Sequence, residues 1–272
     1  MTKRESGMAA INGTQMYYEM AGSGHPLVMV HAGVADNRMW DDQFEVFAEK
    51  YQVIRFDQRG YGQTKPIDGE FRRYEDLYAL LIFLGVQQTY LMGCSMGGGA
   101  CIDFALEHPD MAKALITVGS GSAGFQFETP DPPVWDAAVK AYEAGELEQV
   151  AEYEAQIWLD GPYAPAGRVS GAIREKMIGM NMIALRNEKL GLGKELRLDP
   201  PAAKRLGELD LPTLVLYGDL DTPYIQAAGK YMAEQIKGAK QVVMHNTAHL
   251  PSMDQPQAFN EQVLSFLASL PH

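Results

Sequence analysis

Gly93-Cys94-Ser95-Met96-Gly97 places a serine with a glycine two residues away on either side. The apolar run Thr89-Tyr90-Leu91-Met92 leads into it, and a helix-like segment follows. In that context G-x-S-x-G is a sharp strand-to-helix turn that lifts the serine hydroxyl into a cleft. The flanking positions must lack bulk, because strand and helix backbones pass close by. A serine hydroxyl is a poor nucleophile at neutral pH. It needs a base to take its proton, and the base needs a buried acid to orient it. The chemistry such a group would serve is acyl transfer to water.

With 27 glycines in 272 residues, the pattern alone is weak, and its partners must be found. Gly218-Asp219-Leu220-Asp221-Thr222-Pro223 ends a strong strand and offers two acids. His245 and His249 lie around the end of the last strand and offer two bases. Both regions are loops at the carboxyl ends of strands, where open α/β sheets build their sites. Cys94 is a rival nucleophile, but the turn centres on Ser95 and Cys94 should point into the sheet.

The elements that must position these groups alternate. Asn12-Gly13 before Gln15–Ala21 signals an opening β-hairpin. Leu27–Val30, Val53–Phe56, Thr89–Met92 and Ala114–Val118 read as further strands. Trp40–Tyr51, Tyr74–Leu84 and Met96–Glu107 carry helical spacing between them. This rhythm predicts a mostly parallel sheet with helices on both faces. From about Phe125 to Leu206 no convincing strand is found, only the helical patterns Val134–Ala144, Leu147–Leu159 and Arg168–Leu190. Asp131-Pro132-Pro133 and Asp199-Pro200-Pro201 bracket them as stiff connectors. Strand Thr213–Tyr217, helix Tyr224–Ile236, strand Gln241–Met244 and helix Pro256–Leu270 then resume the rhythm. The expected organisation is a core of residues 1–124 and 207–272, with a helical cap, residues 125–206, inserted after the sixth strand.

Composition narrows the function. A formal charge of −12 argues against a nucleic-acid surface, which needs a basic footprint, and does not favour anionic membranes. The most apolar segment, Leu77–Val86, is about half a bilayer span and reads as a core helix. Met1–Gly7 is charged with no apolar run behind it, so no signal peptide is expected. Cys94 and Cys101 have neither metal nor disulfide spacing and suit free thiols in a reducing, cytoplasmic setting.

These motifs together make the chain resemble the α/β-hydrolase superfamily over nearly its whole length. The resemblance rests on His31-Ala32-Gly33 after the third strand and Asp57-Gln58-Arg59-Gly60-Tyr61-Gly62 after the fourth. The serine turn follows the fifth strand, and Gly218-x-x-Asp221 and Ala248-His249 complete it. It implies a triad of Ser95, Asp221 and His249, the spacing choosing Asp221 over Asp219 and His249 over His245. It implies an oxyanion hole of the Gly33 and Met96 amides, although Ala32 stands where the family usually has glycine. Asp57 and Arg59 are expected to brace loops, and His108, before a proline, to satisfy carbonyls at a helix end. The cap residues Trp135, Tyr142, Trp158, Leu159, Met177, Met180, Met182 and Ile183 are apolar for an insertion. Most should pack within it, and a few should build an acyl pocket. Val34, Trp158 and Leu250 are the expected pocket walls.

The resemblance implies a serine hydrolase of a small-molecule carboxylic ester or lactone, similar to small carboxylesterases and to enol-lactone and acyl-homoserine-lactone hydrolases. No cofactor, metal, nucleic acid or membrane partner is expected. Serine in place of aspartate at the turn argues against dehalogenase and epoxide hydrolase chemistry. Carbon–carbon bond hydrolysis, cofactor-free perhydrolysis and a non-catalytic ligand receptor are the alternatives.

Overall fold

The computed structural model describes residues 4–270. The expectation on Met1–Lys3 and the outermost core boundary lie outside them. The Asn12-Gly13 turn, with φ of 41° and 76°, joins β1 (Arg4–Ile11) to β2 (Thr14–Ala21) as an antiparallel hairpin. β3 (Pro26–Val30), β4 (Gln52–Phe56), β5 (Thr89–Cys94), β6 (Ala112–Val118), β7 (Thr213–Gly218) and β8 (Lys240–Met244) complete one sheet. Its order is β1-β2-β4-β3-β5-β6-β7-β8, and every pair from β4 to β8 is parallel.

Alternation along the strands divides the core. Leu27 and Met29 face one side, with α1 (Asp41–Ala48) and α9 (Pro256–Ala268) supplying Phe44, Phe47, Phe259 and Val263. Val28 and Val30 face the other, with α2 (Arg73–Phe83), α3 (Met96–Glu107) and α7 (Pro223–Gln235) supplying Leu77, Phe104 and Met232. The apolar segment around α2 is therefore a core helix, buried through Leu77, Leu80 and Leu81. Among the described residues no helix is long and apolar enough to cross a membrane.

Between β6 and β7 lie α4 (Trp135–Ala144), α5 (Leu147–Ala155), a π-helical turn Gln156–Asp160 and α6 (Ala172–Glu188). Packing draws both ends of this insertion inward from the expected 125 and 206. The Phe125 ring lies 5.6 Å from Tyr224 and 4.9 Å from Tyr231 of α7. Leu198, Ala202 and Leu206 are buried in the core cluster with Leu115 and Tyr217. The segment also holds a short strand that sequence reading missed. Lys194–Glu195 pairs in parallel with Glu70–Phe71, too few residues to leave an alternating pattern.

The β5–α3 junction permits no side chain where the backbones cross. A Cβ on Gly93 would stand 2.4 Å from the Gly97 carbonyl oxygen, and one on Gly97 2.4 Å from the Val30 carbonyl oxygen. Gly99, one turn on, would meet only the Gly121 oxygen at 4.0 Å. Gly97→Ala should therefore fail to fold or melt far below the parent. Gly99→Ala should hold or raise the melting temperature, by up to about 1 kcal/mol of helix propensity. Thermal melts of the two variants check this; equal melting would contradict the close-approach argument.

Candidate active site

Ser95 sits at the end of β5 with φ 52° and ψ −117°, a left-handed conformation that a side chain rarely adopts. Its neighbour Cys94 is fully buried, its thiol directed at the His249 carbonyl oxygen 3.6 Å away. Burial and the nearby Asp221 push that thiol up, away from reactivity.

Asp221 and His249 come from loops after β7 and β8. They are 1% and 3% exposed, and His249 Nδ1 lies 2.8 Å from Asp221 Oδ2. The second carboxylate oxygen accepts the Thr222 N–H at 2.7 Å. An ionised carboxylate only accepts, so the ring donates from Nδ1 and keeps Nε2 as a free acceptor. Gly119 makes room for the pair. A Cβ there would lie 3.2 Å from His249 Nδ1 and 3.3 Å from Asp221 Oδ2. Asp219 takes no part in this buried pair. It bonds His245 Nδ1 at 2.9 Å, on a side chain 82% exposed. Ser95 and His249 line one cavity. Among the described residues no hydrogen bond joins Ser95 Oγ to the ring, a looseness common before substrate binds.

Gly33 lies against the start of α3: a Cβ on it would be 3.8 Å from Met96 Cβ. Met96 opens the helix, so its amide has no intrahelical acceptor. Among the described residues neither the Gly33 nor the Met96 amide donates to a protein acceptor. The loop carrying Gly33 is pinned by His31. The Gln58 amide donates to His31 Nε2 at 2.9 Å, which leaves Nδ1–H to donate to the Ala32 carbonyl at 2.8 Å. Full burial pushes His31 down to about 4, so the ring is neutral and the tautomer fixed. Asp57 accepts from the Asn37 amide at 2.9 Å and the Gln63 amide at 2.7 Å, and Arg59 forks onto Asp76 with both contacts at 2.9 Å. Both residues brace loops.

Cavities surround the turn. One of about 250 Å³ is lined by Ser95, His249, Trp135, Trp158, Pro132 and Ile225 and is largely apolar. A second, about 380 Å³, also reaches Ser95 and Met96 but is lined by Arg73, Asp103, Ser122 and Glu195. A third, about 340 Å³, runs past Gly33 and Tyr61 to Glu154 and Glu188 of the insertion. Trp158 is thus a wall, its ring 4.6 Å from the His249 ring and edge-on to Trp135 at 6.1 Å. Leu250, expected as a wall, is corrected: it is 1% exposed and buried in the main apolar cluster. Val34 is half-buried and packs against that cluster, as Trp158 does. The residue after the histidine turns inward as α8 (Pro251–Asp254) begins. Among the described residues the His108 ring bonds no carbonyl. It stacks on Tyr78 at 4.1 Å, and its Nε2 is buried without a partner. Among the described residues no group of three His, Cys, Asp or Glu could hold a metal ion.

A family model described as alpha/beta hydrolase fold matches residues 25–156. The chain is 27% identical over 257 residues to a pimeloyl-[acyl-carrier protein] methyl ester esterase of Aeromonas hydrophila, covering 92% of this chain and 98% of that protein. It is 26% identical over 228 residues to a 2-hydroxy-6-oxononadienedioate/2-hydroxy-6-oxononatrienedioate hydrolase of Klebsiella pneumoniae, covering 80% and 77%. The crystal structure of an enol-lactonase from Burkholderia xenovorans LB400 superposes with a TM-score of 0.77 at 22% identity, over 96% of this chain and 100% of that one. The chain has the alpha/beta hydrolase fold.

Two features of the site carry no sequence motif. Trp158 rides on the π-helical turn, a strained local winding that often marks functional positions. Arg168 holds that turn to the histidine loop. Its guanidinium donates to the Asp160 carbonyl at 2.7 Å, the Leu159 carbonyl at 2.8 Å, the Asn246 carbonyl at 2.9 Å and the Asp254 carboxylate at 2.6 Å. The His249 amide bonds the Trp158 carbonyl at 3.1 Å, so two links fix one ring over the other. Arg168→Met should cost about 1–3 kcal/mol of stability and shift tryptophan emission to the red. Unchanged melting and emission would mean the backbone holds the turn alone.

Proposed function

We propose that the chain is a serine hydrolase acting on carboxylic esters or lactones through an acyl-enzyme. The observation that carries the reading is the buried Asp221–His249 pair at 2.8 Å, opening on the cavity it shares with Ser95. Ser95 Oγ attacks the substrate carbonyl while His249 Nε2 takes its proton. The carbonyl oxygen, now an anion, is received by the unengaged Gly33 and Met96 amides. His249 returns the proton to the leaving alkoxide, and the acyl group stays on Ser95. Water then enters, gives one proton to His249 as its oxygen attacks the acyl carbon, and the imidazolium returns that proton to Ser95 Oγ as the acid leaves. Asp221 fixes the ring tautomer and supports the transient imidazolium. Side chains and water account for every proton, so the cycle calls for no cofactor.

In this reading α4–α6 form a cap over Ser95. Trp135 and Trp158 would seat the apolar part of the substrate. The names of the relatives support a hydrolase and span an ester and a dienedioate. Cleavage of a carbon–carbon bond is the second reading, favoured by the likeness to the Klebsiella protein. The buried thiols of Cys94 and Cys101 fit a reducing, cytoplasmic compartment.

Steady-state kinetics on short p-nitrophenyl esters and on lactones test the proposal. Ser95→Ala should lose on the order of 10⁶ in kcat while remaining folded. Asp221→Asn should lose on the order of 10⁴, and Asp219→Asn far less. A Ser95→Ala enzyme as fast as the parent would end the proposal. Inert esters and lactones alongside cleavage of a vinylogous diketone would select the second reading.

A further inference from the structure

Arg73, at the start of α2, faces both polar cavities beside the serine turn. Its guanidinium lies over the Tyr61 and Phe71 rings, 5.7 and 5.5 Å from their centroids. Its Nε–H donates to Glu195 Oε2 at 3.0 Å. Among the described residues this is the guanidinium's one protein acceptor, and Nη1 is buried without a partner. An arginine fork held by rings, with its terminal donors unspent, is built for a planar anion.

The second cavity, the one that reaches Ser95, collects further unsatisfied groups. Ser122 and Asp103 are among its lining residues, 2% and 8% exposed, and Ser122 Oγ and Asp103 Oδ1 are buried without partners. Its charges do not balance. Arg73 and Arg197 both pair with the single Glu195, Arg197 at 3.2 Å. Burial pushes Asp103 up to about 7, so it is only partly ionised at neutral pH and offsets only part of the surplus. The glutamates at 154 and 188 line the third cavity and not this one.

We propose that this cavity is a subsite for a carboxylate carried by the substrate, received by Arg73 with the Ser122 hydroxyl as a second donor. The proposal rests on Ser95 being the nucleophile, since the cavity gains its meaning from opening on it. The substrate class is then an ester or lactone with two unlike ends. The apolar end lies against Trp135 and Trp158, and the anionic end is anchored on the far side of the scissile carbonyl.

The test uses matched ester pairs, each a carboxylate against its isosteric carboxamide. In one pair the group ends the acyl chain, and in the other it ends the alcohol. Hydrolysis by the full-length enzyme is followed by pH-stat. The wild type should prefer the carboxylate in one pair by about tenfold to hundredfold in kcat/KM, the scale of a charge-assisted fork. Arg73→Met should bring that ratio to about one, mainly through KM, and Arg73→Gln gives the same readout should Met impair folding. Glu195→Gln, which frees the guanidinium from its protein partner, should widen the ratio. Equal rates within both wild-type pairs, or a ratio untouched in both Arg73 variants, would overturn the subsite while leaving the ester reading intact. Failure to hydrolyse any member of either pair would overturn both.

Discussion

The site depends on one steric constraint: β5 and α3 cross where neither backbone can carry a side chain. Gly93 faces Gly97 and Gly98, and Gly97 faces the end of β3. Passing from strand to helix at that separation leaves the intervening residue only the left-handed φ of 52° seen at Ser95. A non-glycine residue in such a region costs about 1–3 kcal/mol, offset by the packing around it. The strain places Ser95 at the carboxyl edge of the sheet, sends Cys94 into the core, and starts α3 with the Met96 amide free beside Gly33.

Electrostatics are organised around keeping that edge dry and fixed. The chain carries a net charge of −12, yet its buried charged side chains, Asp103 apart, are tied up. Arg55 meets Glu19 at 2.6 Å, Arg59 meets Asp76 at 2.9 Å, and Arg174 meets Asp160 at 2.9 Å. Buried pairs of this kind contribute little net stability but leave a large cost if one partner is removed, so they fix loop geometry. Asp160 also accepts the Gly167 and Val169 amides at 2.8 and 2.9 Å, closing the loop on which Arg168 sits. Around the serine turn, the unbalanced donors are the exception. The free amides of Gly33 and Met96 and the open fork of Arg73 stand where a ligand's oxygens would come.

Local rules made much of the fold legible in the sequence. Apolar runs located seven of the eight strands of the sheet, because each is buried on both faces or one, and the Asn12-Gly13 turn implied the first. Gly33, Ser95, Asp221 and His249 were expected at strand ends, and each follows one within a few residues. What could not be read was set by contacts far apart in the chain. Leu250 was expected as a wall and is core, since the turn into α8 swings it inward. Tyr78, which stacks on His108, is thirty residues away from it, beyond any local pattern. The insertion's true edges depend on Phe125 and Leu198 finding the core, and the Lys194–Glu195 strand depends on a loop between β4 and α2.

Covalent labelling tests the central claim most directly. The enzyme is treated with a p-nitrophenyl alkylphosphonate, digested, and mapped by mass spectrometry, with Asp221→Asn and Ser95→Ala in parallel. The account predicts one equivalent of phosphonate on Ser95, loss of esterase activity in step with labelling, slow labelling of Asp221→Asn, and none of Ser95→Ala. An adduct on Cys94 or another residue, or full labelling of Ser95 with hydrolysis undiminished, would contradict it.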